Sequence, residues 1–251
     1  MKPRIVYCNG TREFAKESGD FIRDLSAKCI KKEGRFTIML PGGSTPETVF
    51  EYLALPEIQK AISWNSLFVF WGDERYVPSD HRDSNYRMAQ RSLLSKVPIS
   101  EENIFRVPTE AGTVEEAAVR YEKTLRKFFS KGPMCGSFPV YDLILLGMGR
   151  DGHTASLYPG NIALKENERW VTAARAPDSA PVKKRITVTL PLINSSARAC
   201  FLVTGSEKKE IMREVFKEKS LKEKKIPASM VNPKEEIIWF TDNSEKDILL
   251  C

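Results

Sequence analysis

The chain has 251 residues, 41% of them hydrophobic and 29% charged, the balance of a soluble globular protein with ample length for a buried core. Its net charge of +6, from 39 basic and 33 acidic residues, suits ordinary solubility and a mild positive field that gathers small anions. The densest basic run, Lys217–Lys225 (KEKSLKEKK), includes glutamates and lacks aromatic residues, so no nucleic-acid surface is expected. No apolar run approaches ~18 residues, and the N-terminus (MKPRIVYCNG) is too short and polar for a secretory signal, so no membrane partner is expected. The five cysteines show no CxxC or Cys/His cluster, which argues against a disulfide framework and a zinc site and for a reduced, cytoplasmic protein.

In chain order, Arg4–Cys8 predicts a first strand. Thr11–Lys32 follows, with Phe14, Phe21, Ile22, Leu25 and Cys29 recurring on one helical face. Phe36–Leu40 (FTIML) reads as a buried strand running into PGGSTPETVFEYLA. There Gly42 and Gly43 allow close backbone approach, Ser44 or Thr45 caps a helix, Pro46 fits its first turn, and Glu47 stands at capping-box spacing from Ser44. Leu67–Trp71 (LFVFW) is a third strand, ending at once in Gly72-Asp73-Glu74-Arg75. The polar Tyr76–Asp83 reads as a functional loop, and Ser84–Val97 returns to helical spacing.

Thr113 with Glu116 forms a second capping box. It opens a helix to about Phe129, with Val114, Ala118, Tyr121, Leu125 and Phe128 on the inner face. Leu143–Leu146 is an unbroken apolar run bounded by turn residues, as befits a strand buried on both faces. Further strands are expected at Trp170–Ala174, Arg185–Leu190, Ala199–Val203 and Ile237–Phe240, with a helix over Ser206–Lys217 and a loop at Pro177–Pro181. Strands alternating with helices throughout predict an α/β fold with a mainly parallel sheet. One domain spanning 1–251 is expected, with a small subdomain around 170–190 as the variant of that reading.

The chemistry gathers where strands end, since ligands of open α/β sheets collect outside the carboxyl ends of the strands. After Leu146 the loop GMGRDGHTASLYPG presents backbone N–H groups, Asp151 and His153, one of two histidines in the chain. An imidazole in such a loop serves either to bond backbone or as a general base, and the neighbouring Asp151 favours the base. His81, in SDHRD, is expected to be more exposed and is the weaker candidate for the base. The spacing Gly147-x-Gly149-x-x-Gly152 fits a dinucleotide fingerprint, but it lies past the middle of the chain. Charged residues fill its turn, and Pro159 and Gly160 cut short any following helix, so no nicotinamide cofactor is expected.

The Pro41–Pro46 loop places backbone N–H groups at a helix N-terminus, a ready phosphate site. It lacks the Gly-Lys-Ser/Thr ending of a nucleotide P-loop, so a sugar phosphate suits it better than ATP. Arg75, Arg185 and Lys208 supply cations for such an anion.

Taken together, LPGGSTPETVFEYL, WGDERYVPSDHRDSNYRMA, YDLILLGMGRDGHTASLYPG, RITVTLPLIN and VTGSEKKEI resemble the 6-phosphogluconolactonases, in that family's order from about residue 36 to 210. The resemblance implies a Rossmann-like open sheet flanked by helices on both faces. It implies a cytosolic enzyme, without metal or organic cofactor, that hydrolyses 6-phosphoglucono-1,5-lactone to 6-phosphogluconate in the oxidative pentose phosphate pathway. His153 matches the family's catalytic histidine and Arg75 its active-site arginine. Gly43, Ser44 and Thr45, with Gly42 before them, match the phosphate-side loop, and Arg185 and Lys208 are further phosphate or substrate contacts. Asp151 and Asp73 both remain candidates for orienting the imidazole. A monomer is the simpler expectation.

Two other readings compete. The related glucosamine-6-phosphate deaminases carry a glutamate five residues after the histidine, where this chain has Tyr158, and an Asp-Glu-Tyr element where it has Asp73-Glu74-Arg75. Many lactonases are expected to carry phenylalanine at that same tyrosine. A non-catalytic sugar-phosphate sensor is the second reading, yet it would have no use for a His153/Arg75 pairing. A serine nucleophile is not expected, because no G-x-S-x-G elbow is present.

Overall fold

Apolar runs with no polar face must be covered on both sides, and such strands assemble as a parallel sheet between helices. The computed structural model describes residues 2–217, 226–244 and 248. The charged run at 217–225 therefore lies, apart from Lys217, outside the described residues, as does Cys251. The chain begins with β1 (Arg4–Tyr7), α1 (Gly10–Glu33), β2 (Phe36–Leu40), α2 (Ser44–Leu53), α3 (Pro56–Gln59), β3 (Leu67–Trp71), β4 (Asp73–Arg75) and α4 (Asn85–Ala89). Next come β5 (Ile104–Phe105), α5 (Val114–Phe128), β6 (Met134–Cys135), β7 (Phe138–Pro139) and β8 (Leu143–Leu146). The remainder holds β9 (Val171–Arg175), β10 (Lys184–Val188), α6 (Leu190–Ser195), β11 (Arg198–Val203), α7 (Lys209–Phe216) and β12 (Glu236–Thr241).

The main sheet has seven strands in the order β1-β12-β11-β8-β2-β3-β5. Every pairing in it is parallel. All residues of β2 and β8 are buried, which is why their sequences show no alternation. A three-stranded antiparallel sheet, β4-β10-β9, lies beside the large one, and β6 and β7 form a short hairpin. β4, read from sequence as a charged cluster, is itself a strand, and its polar three residues gave no apolar signal. Among the described residues no helix is long and apolar enough to cross a membrane.

The helix starts differ from one another. Thr113 caps α5 as its spacing predicts, its hydroxyl accepting from the Glu116 N–H at 3.1 Å. The Ser44/Glu47 capping box does not form. Gly43, at φ 104°, is the cap residue and no side chain caps the helix. A glycine in that conformation turns the chain directly into α2, so Ser44 already belongs to the first turn and stays exposed. Glu47 pairs instead with Arg91. The helix expected over Ser84–Val97 is α4, capped by the Ser84 hydroxyl, followed by a π-helical turn at Gln90–Leu94.

Helix α5 is tied to the sheet by one buried phenol. The Trp71 N–H donates to Tyr121 Oη at 2.8 Å, and the Tyr121 hydroxyl donates to the Trp71 carbonyl at 3.1 Å. This satisfies both backbone groups of the last residue of β3, immediately before the Asp73–Arg75 segment. Tyr121→Phe is expected to leave both groups unpaired and to lower unfolding free energy by about 1–3 kcal/mol, read from the urea midpoint.

Candidate active site

β2 lies inside the main sheet, and the chain moves outward from it through β3 to β5. β8 then returns to the other side of β2, and the chain runs outward again through β11 to β12. The loops leaving β2 and β8 therefore diverge, and open α/β sheets bind ligands at such a switch point. A cavity of about 600 Å³ lies there. Gly42–Thr45 after β2, Asp151 and His153 after β8, and Lys208 after β11 line it, together with Asp73 and Arg75 of β4 and Arg185 of β10 in the small sheet. Every site residue singled out by sequence thus lines one cavity. His81 does not; its Nδ1 accepts from the Asp83 N–H instead.

The imidazole is held by its neighbour in the same loop. Asp151 Oδ1 lies 2.6 Å from His153 Nδ1 and accepts from the His153 backbone N–H at 3.1 Å. Partial burial works against the charged form of Asp151, but the hydrogen bonds and charge of His153 outweigh it and hold the carboxyl below its usual value. An ionised carboxylate only accepts, so the neutral form of this imidazole carries its proton on Nδ1 and its lone pair on Nε2. Gly149 makes room for this pair, since a methyl carbon there would overlap the His153 ring and approach Asp151. On its other side the imidazole meets the Tyr158 ring, with centroids 4.4 Å apart.

Distance decides between the two aspartates. Asp73 is buried and engaged elsewhere, accepting from the Ser156 hydroxyl at 2.6 Å and from Asn85 Nδ2 at 3.2 Å. The Asn85 side chain in turn packs where a Cβ on Gly42 would stand, so the phosphate-side loop needs glycine at that position. Glu74 is not an acid facing the cavity. It accepts from the N–H groups of Arg75, Asn85 and Tyr86 at 2.7, 2.7 and 2.8 Å, anchoring the start of α4 to β4. Burial nevertheless raises its pKa.

The cations stand side by side. Arg75 and Arg185 are cross-strand partners in the β4/β10 ladder, and the Nε of each is buried without a hydrogen-bond partner. Like charges directly opposite on a sheet repel. Burial first, then the Arg75 charge, pulls the Arg185 pKa down. Arg75 is braced by the Tyr76–Asp83 loop, donating from Nη1 to the Asp83 carbonyl at 2.8 Å. Lys208 reaches back to donate to the Met148 carbonyl, and burial lowers its pKa. Thr45 and Thr204 hydroxyls meet at 2.7 Å, joining the phosphate-side loop to the end of β11.

Sequence reasoning missed part of the lining. Pro177, Ser179 and Ala180 of the β9–β10 connection form one rim, although that segment reads only as a loop. Tyr158 stands out in sequence as a departure from a pattern, with no sign that it touches His153. Asn85 carries no local signal, because its role depends on contact with two other loops.

Fold and site together define an α/β protein with a cavity at the switch point of its sheet, lined by an imidazole, guanidiniums and an ammonium group. The family described as glucosamine-6-phosphate isomerases/6-phosphogluconolactonase matches residues 9–239, and the chain belongs to that family. The chain is 43% identical over 215 residues to the 6-phosphogluconolactonase of Synechocystis sp., covering 86% of this chain and 85% of that one. It is 42% identical over 242 residues to the 6-phosphogluconolactonase of Nostoc sp., covering 96% of each. Its fold is similar to the crystal structure of 6-phosphogluconolactonase from Thermotoga maritima, with a TM-score of 0.80, 30% identity and coverage of 96% and 99%.

The opposed guanidiniums generate a prediction about anions. Inorganic phosphate should raise the thermal unfolding midpoint, because a ligand of the native state stabilises it. Arg185→Met should lose most of that gain while leaving ligand-free stability equal or higher, as calorimetry with and without phosphate would show. An undiminished gain would remove Arg185 from the anion site.

Proposed function

We propose that this chain is a 6-phosphogluconolactonase, hydrolysing 6-phosphoglucono-1,5-lactone to 6-phosphogluconate in the oxidative pentose phosphate pathway. The observation that carries this reading is the Asp151–His153 pair on the wall of a cavity that also holds Arg75, Arg185 and Lys208. A phosphorylated ester needs those parts: cations for its charge, and a base for the water that opens it.

In the proposed mechanism the Gly42–Thr45 loop, Lys208 and Arg185 hold the phosphate and so place the lactone carbonyl near His153. Positioning of this kind is one main source of rate. His153 Nε2 removes a proton from water as its oxygen attacks the carbonyl carbon. Arg75 stabilises the resulting oxyanion, a contribution of about 3 kcal/mol for one well-placed donor. As the intermediate collapses, the bond to the ring oxygen breaks and protonated His153 returns its proton to that oxygen. Asp151 holds the neutral imidazole in the needed tautomer before proton transfer and stabilises the imidazolium after it.

A deaminase of the same family is less well supported. Tyr158 replaces the glutamate expected there, and Asp73 is already bound by Ser156 and Asn85. We place the reaction in the cytoplasm, supported by the free state of Cys8, Cys29, Cys135 and Cys200. A monomer is the simpler reading, supported by one chain bringing His153, Arg75, Arg185 and Lys208 to one cavity.

The test is acid release from freshly made lactone, measured over its spontaneous opening. Activity no greater than that background would leave only a sugar-phosphate binder. His153→Asn is expected to lower kcat by about 10²-fold or more with little change in KM. Lys208→Ala should mainly raise KM, by roughly tenfold, and an unchanged KM would remove it from the phosphate site.

A further inference from the structure

We propose that Tyr158 is a positioning residue for His153, its ring forming the wall that fixes the plane of the imidazole. The proposal rests on reading His153 as the base. Asp151 secures one ring nitrogen, and a single hydrogen bond leaves the imidazole free to rock about that contact. The Tyr158 ring lies 4.4 Å from the imidazole centroid with the planes 39° apart, close enough that rocking toward it would collide. Tyr158 is itself only 8% exposed, so this wall is not a mobile surface ring. Burial also raises its pKa, keeping it a neutral phenol beside the base.

What holds Tyr158 in place is the turn preceding it. Ala155, at φ 48°, is the non-glycine residue with left-handed backbone among those described. Such a conformation persists where the surroundings over-determine it, and it clusters at functional sites. The surroundings here are specific. The Thr154 hydroxyl donates to the Gly147 carbonyl at 2.9 Å, and the Leu157 N–H closes the turn on the Thr154 carbonyl at 2.9 Å. The Ser156 hydroxyl donates to Asp73 at 2.6 Å, and its N–H donates to Thr187 Oγ1 at 3.2 Å. The side chain of Leu157 is fully buried. The turn is thus pinned to the loop after β8 and to both β4 and β10, and it folds residue 158 back over residue 153. Asp73 acts on the imidazole only through this turn, which gives that carboxylate a role without contact to His153.

The chain's two histidines make the test direct, because His81→Gln assigns both Cε1-proton resonances of the full-length protein. In the unmodified protein, cross-relaxation is expected between the Tyr158 ring protons and the His153 Cε1 proton. Its absence would overturn the proposal with no variant at position 158. Tyr158→Leu keeps bulk but removes the ring. It should move the His153 resonance toward that of a free imidazole and lower kcat for the lactone by about tenfold or more, with KM within about twofold. Tyr158→Phe should restore both the resonance and most of the turnover. An unmoved resonance in a folded Tyr158→Leu protein, or a kcat within about twofold of the unmodified enzyme, would overturn the proposal. If the unmodified protein fails to open the lactone, the lactonase reading falls, while the resonance measurements still decide whether Tyr158 fixes the imidazole.

Discussion

The hydrogen bond between Asp151 and His153 Nδ1 is the interaction on which the site depends. A carboxylate that stays ionised leaves the neutral imidazole one tautomer, with the lone pair on Nε2, and the residue lines the cavity. Much of the surrounding architecture serves this contact. Gly149 leaves the volume that the ring occupies, and the end of β8 fixes where the loop begins. The pair is local in sequence, two residues apart, but its usefulness is not. A base in a loop becomes catalytic only when an anchored substrate lies against it.

In the proposed mechanism anchoring comes from charges that the protein alone holds at a disadvantage. Arg75 and Arg185 are opposed on neighbouring strands with unpartnered buried Nε atoms, and Lys208 is drawn inward against its preference for the charged form. Among the described residues no carboxylate is hydrogen-bonded to either guanidinium, and Asp73 and Glu74 are instead bound by hydroxyl, amide and backbone N–H groups. Carboxylates in that role knit loops together and leave the guanidiniums without a hydrogen-bonded counter-charge. Electrostatic strain at a binding site offset by the arriving ligand is a familiar division between stability and function.

Much of the fold is legible from the chain alone. Runs such as FTIML, LFVFW and LILL announce buried strands because burial on both faces removes any need for polar alternation. Thr113 and Glu116 mark a helix start because a cap is a contact between residues three apart. The Ser44–Glu47 pair has the same spacing, yet Gly43 takes the cap position, and a backbone conformation open to glycine leaves no trace in spacing rules. Short strands escaped for a different reason. β4, β5, β6 and β7 have two or three residues each, too few to show a period.

Composition and local pattern by themselves determined an α/β chain with a parallel sheet, and they named part of the cavity lining, including the Gly42–Thr45 loop, His153, Arg185 and Lys208. Tertiary structure alone decided which aspartate lies within hydrogen-bond distance of the imidazole, that the two arginines face each other across a ladder, and that the Tyr158 ring packs on His153. The reason is physical. Motifs record contacts between residues close along the chain, whereas strand register, loop divergence at the switch point and ring-on-ring packing are set by how distant segments share one core.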